Sequence, residues 1–366
     1  MVAIQSEEGG PLLVDTRGGT PTAGANGRRR RGRASSRMLY VLTRLALLVP
    51  GALVAATATF FVINLIPSDP VGHLLGDFAT PEQIAAKKAE LGLDKGVFER
   101  YLDYLGGLLR GDFGNSYRSG EPVLPDLIGR LASSLVITVP GFLLARYLGI
   151  RIGVLQAVSR WPGVVRGLVT VLQAMPSFVA AIFGIVVFVV LFQVLPAPVG
   201  QVSVSSPRPP RVTGAVVIDS LLAGQFETFI IAVQYLVLPV AILGLMLCVP
   251  FARITASTVR SNLDADFTIF GRANGLPRRR IRTNAKKSAR SSIITVSGIV
   301  AAELVGGTVI VERIFSWNGT GNWALDAIVE KDLPQVQAFV MFVTVATMVV
   351  YLVADVLSVL MDPRMK

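Results

Sequence analysis

Few residues in this sequence can do covalent or metal chemistry. His73 is the only histidine and Cys248 the only cysteine among 366 residues. That removes His-cluster metal sites, a Ser-His-Asp triad and any internal disulfide. No Lys follows a Gly anywhere, so there is no G-x-x-x-x-G-K-[ST] phosphate loop, and any ATP chemistry must sit on another chain. No catalytic residue, no metal ligand and no cofactor site is therefore assigned to this chain. Two constellations remain. One is a short helix expected from Asp266 to Asn274, which Gly275 ends and Pro277 prevents from continuing. It is followed by Arg278, Arg279, Arg280, Ile281 and Arg282. It reads either as a helix inserted into a partner protein or as a solvated basic loop that sets topology. The other is a set of lone charges, Arg146, Arg151 and Glu303, inside apolar stretches.

Those stretches are the elements that must position both. The chain is 52% hydrophobic and 16% charged, with a mean hydropathy of +0.59, where a soluble protein carries about 25% charged residues. Uncharged runs span residues 45–68, 167–207, 228–252 and 333–354, each sufficient for a helix of about 20 residues across a hydrocarbon core. Two more, about 131–157 and 291–311, carry an isolated charge or two. Six spans are expected, in an all-α integral membrane protein.

The net charge of +11 is distributed by side. Residues 28–44 hold seven Arg, and residues 253–290 hold ten Lys or Arg against Asp264 and Asp266. Residues 69–130, by contrast, hold ten acids against seven bases. Alternation of this kind follows the positive-inside rule. It places the N-terminus, the 158–166 loop, the 253–290 loop and the C-terminus in the cytoplasm, and it argues against nucleic acid as the basic chain's partner. Residues 1–37, rich in Gly, Thr, Ala and Arg, read as a disordered basic cytoplasmic tail attracted to anionic headgroups, and 38–366 as the spanning domain. In the external segment, about 69–130, Thr80 is expected to cap a helix with Pro81 in its first turn.

Glu303 lies about twelve residues, roughly 18 Å, into the fifth span, and Arg146 about ten residues, roughly 15 Å, from the cytoplasmic end of the second. A lone charge there costs ~3 kcal/mol or more. Glu303 is expected to pair with Arg146, or with Arg151, or to face a polar pathway. The alternative has both arginines snorkelling to headgroups and the acid protonated. Met175, Pro176 and Phe178 in the third span read as ordinary packing or as contacts along a pathway, with Pro176 expected to kink its helix. Gly149-x-x-x-Gly153 and Gly163-x-x-x-Gly167 each permit close helix approach.

Motifs in sequence order resemble the dipeptide/oligopeptide family of ABC importer permeases. Gly271-Arg272-Ala273-Asn274-Gly275-Leu276 followed by basic residues is similar to that family's coupling motif between its fourth and fifth spans. Leu65-Ile66-Pro67-Ser68-Asp69-Pro70 resembles its Leu-x-Pro-Gly-Asp-Pro, with Ser68 where Gly is usual. Gly111-Asp112-Phe113-Gly114, Met175-Pro176-Ser177-Phe178, Val311-Glu312-Arg313-Ile314-Phe315, Asn318-Gly319-Thr320-Gly321 and the closing Asp362-Pro363-Arg364 follow in order. The likeness runs from about residue 38 to 366. It departs at the long tail, at Phe270 and Gly271, and at Arg146, Arg151 and Glu303, where the family is mostly apolar or small.

The resemblance implies a six-span permease of the type I importer fold in the bacterial plasma membrane. It implies pairing with a second, homologous permease, two ATPase domains that bind ATP and Mg, and an extracytoplasmic solute-binding protein. It also implies that Asp266, Phe267, Phe270, Gly271, Arg272, Ala273, Gly275 and Leu276 meet the ATPase. A membrane-embedded enzyme would need a nucleophile, metal ligands or a carboxylate pair in the spans, and an ion-driven transporter usually shows internal repeats. Neither pattern is present in the sequence. The cargo stays open between dipeptides, longer peptides, nickel chelates and other small solutes.

Overall fold

The computed structural model describes residues 24–65, 70–76, 78–159 and 162–361. Residues 1–23, the centre of the Leu65–Pro70 motif and the closing Asp362-Pro363-Arg364 lie outside the described residues. The chain divides into two units, Met1–Thr43 and Arg44–Lys366. Of the tail expected to be disordered, residues 24–37 are helical, as the first turns of α1 (Gly24–Leu65). Arg and Ala are good helix formers, so a stretch with no apolar face to bury can still extend a helix. The second unit contains the helical bundle.

After α1 come three short helices, α2 (Pro70–Leu75), α3 (Pro81–Glu90) and α4 (Val97–Leu109). The cap expected on α3 is present as a reciprocal box: Gln83 N–H donates to Thr80 Oγ1 at 3.3 Å, and Thr80 N–H donates to Gln83 Oε1 at 3.0 Å. Next are α5 (Val123–Val158), α6 (Pro162–Ala174) and α7 (Ser177–Ile185), the last continuing as a π-helical turn over Val186–Leu191. They are followed by α8 (Val216–Leu222) and the long α9 (Phe226–Asp264). The chain closes with α10 (Asp266–Ala273), α11 (Arg278–Ser288), α12 (Arg290–Gly307), α13 (Val309–Ile314), α14 (Thr320–Val329) and α15 (Leu333–Met361). Among the described residues there is no sheet, only one isolated bridge between Asn115 and Pro122.

Four helices are each long and apolar enough to cross a membrane: Leu42–Leu65, Val123–Val158, Phe226–Asp264 and Leu333–Ser358. Two bent pairs raise the number to as many as six, Gly163–Ala174 with Ser177–Leu191 at 98°, and Arg278–Ser288 with Arg290–Gly307 at 43°. The third span is therefore not the continuous run expected over 167–207. Pro176 supplies no N–H to the ladder and biases Met175 away from the helical region, so the helix stops and restarts. The restarted helix ends at Leu191. The fourth span overruns its expected end at residue 252 by continuing to Asp264.

The core is a parallel seam between α5 and α9. Gly141, Ala145, Gly149 and Gly153 recur every four residues and are all buried, so they form one ridge of small residues along α5. A Cβ on Gly149 would stand 2.4 Å from the Cys248 carbonyl oxygen, and one on Gly153 would stand 2.5 Å from that of Ala252. Gly141 meets Leu243, and Gly244 meets Leu144 in return. Backbones this close gain packing and weak contacts that larger residues would prevent. Gly163 and Gly167 have nothing within 4 Å, so the second glycine pair makes no such seam. α12 packs on α15 by a similar device, with Gly298 against Ala354.

One end of this bundle, the basic end, carries α10, α11 and their arginines. The far end carries α2–α4, the irregular 192–215 segment, α8, α13 and α14. At the far end Glu312 is fully buried yet saturated. Its Oε1 accepts from Ser134 Oγ (2.8 Å) and Thr308 Oγ1 (3.2 Å), and its Oε2 from the N–H groups of Gly321 (2.9 Å) and Asn322 (3.0 Å). The carboxylate thus occupies the positive end of α14 and ties that helix to α5.

Candidate functional site

Three helices that are apolar elsewhere turn a polar stripe toward a shared space. On α6 the stripe is Arg166, Thr170 and Gln173, spaced by four and three residues. On α9 it is Arg253, Ser257 and Arg260, with Met246 and Pro250 continuing the same face by the same alternation. Spacings of three and four keep side chains on one helix face. The opposite face of α9, with Cys248, Ala252, Thr255, Ala256 and Val259, is buried, which leaves the polar stripe turned away from the seam. α12 contributes Glu303 and, one turn on, Gly307.

The space consists of two linked cavities. The first, about 450 Å³, is walled by Leu172, Met175, Met246, Leu304 and Val311, with Gln173, Ser177, Arg253 and Glu303 as its polar members. The second, about 280 Å³, shares Gln173 and Arg253 and continues along the stripe to Arg166, Ser257 and Arg260. Arg253 Nη1 donates to Gln173 Oε1 at 2.8 Å, joining α9 to α6. Arg260 Nη2 reaches the Gln156 carbonyl of α5 at 3.4 Å.

This arrangement sorts the expected pathway residues. Met175 lines the larger cavity. Pro176 makes the break that brings Ser177 to the same wall. Phe178 is 47% exposed and lines neither cavity. The expected ion pair between Arg146 and Glu303 is not formed: neither residue has a salt-bridge partner among the described residues. The reason is facial. Arg146 sits beside the buried Ala145 but is itself exposed, off the seam, whereas Glu303 opens into the cavity with Arg253. Arg151 does not reach Glu303 either, and its guanidinium lies 5.3 Å from the Tyr147 ring centroid. Toward the basic end, the interhelical ion pair that does form joins Arg44 of α1 to Asp355 of α15 at 3.2 Å.

The second site is α10. Thr268 and Gly271 face inward, with Thr268 Oγ1 donating to the Asn262 carbonyl at 2.6 Å. Gly275, at φ +74°, ends the helix as expected, and the Leu276 N–H returns to the Gly271 carbonyl at 3.0 Å. The side chain of Leu276 packs on Gly271, where a Cβ would stand 3.0 Å from Leu276 Cδ1. Arg272 Nη2 donates to the Leu263 carbonyl at 2.9 Å, capping α9. These residues fix the helix in place, and they leave Phe267 (49% exposed), Ile269 and Phe270 (72% exposed) on the outer face beside exposed Asp266 and Ala273. Of the eight residues expected to meet a partner, Gly271 and Leu276 thus serve the helix stop. Ile269 is not among the eight, although its place one residue before Phe270 on a helix with two exposed aromatics is a readable signal. Arg253 and Arg260 are absent from the sequence-based expectation because residue 253 opens the basic loop there, and Gln173 because a single amide in an uncharged run does not reveal which way it faces. Only the uninterrupted α9 turns these side chains into a stripe.

An all-α, multi-pass membrane protein with a charged groove among its spanning helices and a rigid apolar knob at one end has the build of a transport component. The chain belongs to the binding-protein-dependent transport system inner membrane components: that family's model matches residues 147–366, and the model of the family's N-terminal part matches residues 38–138. It is similar to the dipeptide transport system permease protein DppB of Escherichia coli K12, 33% identical over 336 residues that cover 89% of this chain and 98% of that protein. The di/tripeptide transport system permease protein DppB of Pseudomonas aeruginosa UCBPP-PA14 is also 33% identical, over 89% of this chain and 98% of its own length. A probable D,D-dipeptide transport system permease protein, DdpB of Escherichia coli K12, is 35% identical over 87% of this chain and 94% of its own.

Proposed function

We propose that this chain is the permease subunit of an ATP-driven importer of di- and oligopeptides, seated in the plasma membrane with both termini and the basic end in the cytoplasm. It pairs with a second, homologous permease, and the groove of α6, α9 and α12 forms this chain's half of the pathway. An extracytoplasmic binding protein delivers cargo to the far end. Two ATPase domains, which hold ATP and Mg, engage α10 at the basic end. The observation that carries this reading is a polar, oppositely charged groove in otherwise apolar helices, in a chain whose relatives are named for dipeptide and di/tripeptide transport. The distribution of charge supports the orientation.

Asp266, Phe267, Ile269, Phe270 and Ala273 form the contact with the ATPase, while Gly271, Arg272, Gly275 and Leu276 hold that surface rigid. A packed helix transmits displacement because packed interfaces have discrete arrangements rather than a continuum. The test is reconstitution of the chain with its genomic neighbours in proteoliposomes. Labelled dipeptide should accumulate only with ATP and the binding protein, and the isolated chain should not hydrolyse ATP. Sustained hydrolysis by the isolated chain, or accumulation without ATP, would overturn the reading.

A further inference from the structure

We propose that Glu303 and Arg253 form a two-point clamp for the charged ends of a zwitterionic dipeptide, Glu303 taking the ammonium group and Arg253 the carboxylate. This rests on the peptide-import reading above and names the groups of the groove that recognise the cargo. Both residues line the same cavity of about 450 Å³, a size that falls in the usual range for small-ligand sites, ~300–1,000 Å³. They are of opposite sign, yet no salt bridge joins them, and the Glu303 side chain has no hydrogen-bond or ion-pair partner among the described residues. Both side chains are exposed to the groove rather than packed into the bundle. The groove therefore presents one unpaired acid and one base that do not neutralise each other. A ligand that carries the complementary charges at its two ends answers both.

The supporting groups fit that role. Gln173 Oε1 accepts from one Arg253 nitrogen at 2.8 Å and so acts as a positioning residue. A guanidinium has five N–H donors in a fixed fork, which leaves others to grip a carboxylate in the bidentate manner. The ends of an extended dipeptide are roughly 7 Å apart, a span that requires two separate charged groups rather than one fused ion pair. The walls between them are Met175, Met246, Leu304 and Val311. Methionines adapt to different side chains, so the cavity reads the peptide ends and tolerates variety between them.

The experiment uses the whole reconstituted complex with saturating, dipeptide-loaded binding protein and measures the initial uptake rate of labelled Ala-Ala. Wild type is compared with the neutralising variants Glu303→Gln and Arg253→Gln and with the charge-preserving variants Glu303→Asp and Arg253→Lys, each checked for co-purification with its partners. Each neutral variant should lower the rate by about tenfold or more, the scale of one lost charge-assisted contact. The charge-preserving variants should keep more of it than the neutral ones, Arg253→Lys less than Glu303→Asp because an ammonium cannot reproduce the bidentate fork. Neutral variants that transport like wild type overturn the clamp and leave peptide import standing, and so do charge-preserving variants as impaired as the neutral ones. A wild-type complex that accumulates no dipeptide overturns both.

Discussion

Glu312 shows how a buried carboxylate can have its hydrogen-bonding capacity met. Its two oxygens accept four hydrogen bonds, two from hydroxyls and two from backbone N–H groups at the start of α14. Trp317 seals the same corner by donating from its indole nitrogen to the Ser133 carbonyl at 2.8 Å. Bonds to a charged acceptor are worth more than neutral ones, and each buried donor left without a partner costs about 1–3 kcal/mol. Glu312→Ala should therefore lower the thermal unfolding midpoint of the purified chain markedly, and Glu312→Gln less. The measurement is detergent-phase thermal unfolding, and an unchanged midpoint in Glu312→Ala would show that water replaces the carboxylate. The sequence marks Glu312 only as part of a motif, because only Thr308, four residues before it, is a local donor, while the other three come from residues 134, 321 and 322. Glu303 illustrates the opposite case. Its depth can be read from its place in the span, but its facing cannot, since that depends on how α12 is rotated against α9 and α15. The pairing with Arg146 is not formed because that rotation turns Glu303 to the cavity it lines and away from the exposed Arg146.

Helices here are positioned by glycine and proline more than by polar contacts. Residues 141, 145, 149 and 153 let α5 lie against α9 at backbone distance, and that contact also orients the outward stripe with Arg253 and Arg260. Gly153→Val would push into the Ala252 carbonyl and Thr255 Cβ, both under 3 Å from where its own Cβ would stand, and the backbone cannot yield without parting the helices. It should abolish recovery of folded, monodisperse protein, whereas Gly163→Val, with nothing within 4 Å, should be recovered like wild type. Size-exclusion chromatography in detergent distinguishes the two, and equal recovery would mean the seam does not hold the bundle. The two glycine motifs look identical in sequence. Their difference comes from position: α5 is enclosed along its length by α9, while the Gly163 end of α6 stands clear. Pro176 is easier to read, because loss of an N–H and the restriction on its predecessor are local effects. A 98° break rather than a mild kink still requires knowing that α6 packs on α5 and α9 while α7 packs on α9 and α13.

The broad architecture follows from composition: apolar runs of spanning length, bases gathered in alternate connections, and one short helix with a fixed stop. Composition does not supply the shape of the groove, which exists only after α6 breaks and α9 runs on to Asp264. That same continuation sets α10 rigidly on the basic end, because Arg272 and Thr268 bond to the last turn of α9. A partner pushing on α10 therefore pushes on the helix that carries Arg253. Phe267 and Phe270 are the side chains on which such a push would act, large, apolar and exposed at 49% and 72%. Burying apolar surface is worth roughly 25 cal/mol per Å², and aromatic anchors commonly dominate an interface. The double variant Phe267→Ser with Phe270→Ser should insert normally, since neither side chain is in the core. It should lose most ATPase subunit in a pull-down and most ATP-dependent uptake in proteoliposomes. Arg272→Glu should behave differently, loosening the end of α9 as well as the docking surface, so that uptake falls together with thermal stability. If the double serine variant retains both ATPase capture and uptake, α10 is only a solvated basic loop that sets topology, and the partner engages the chain elsewhere.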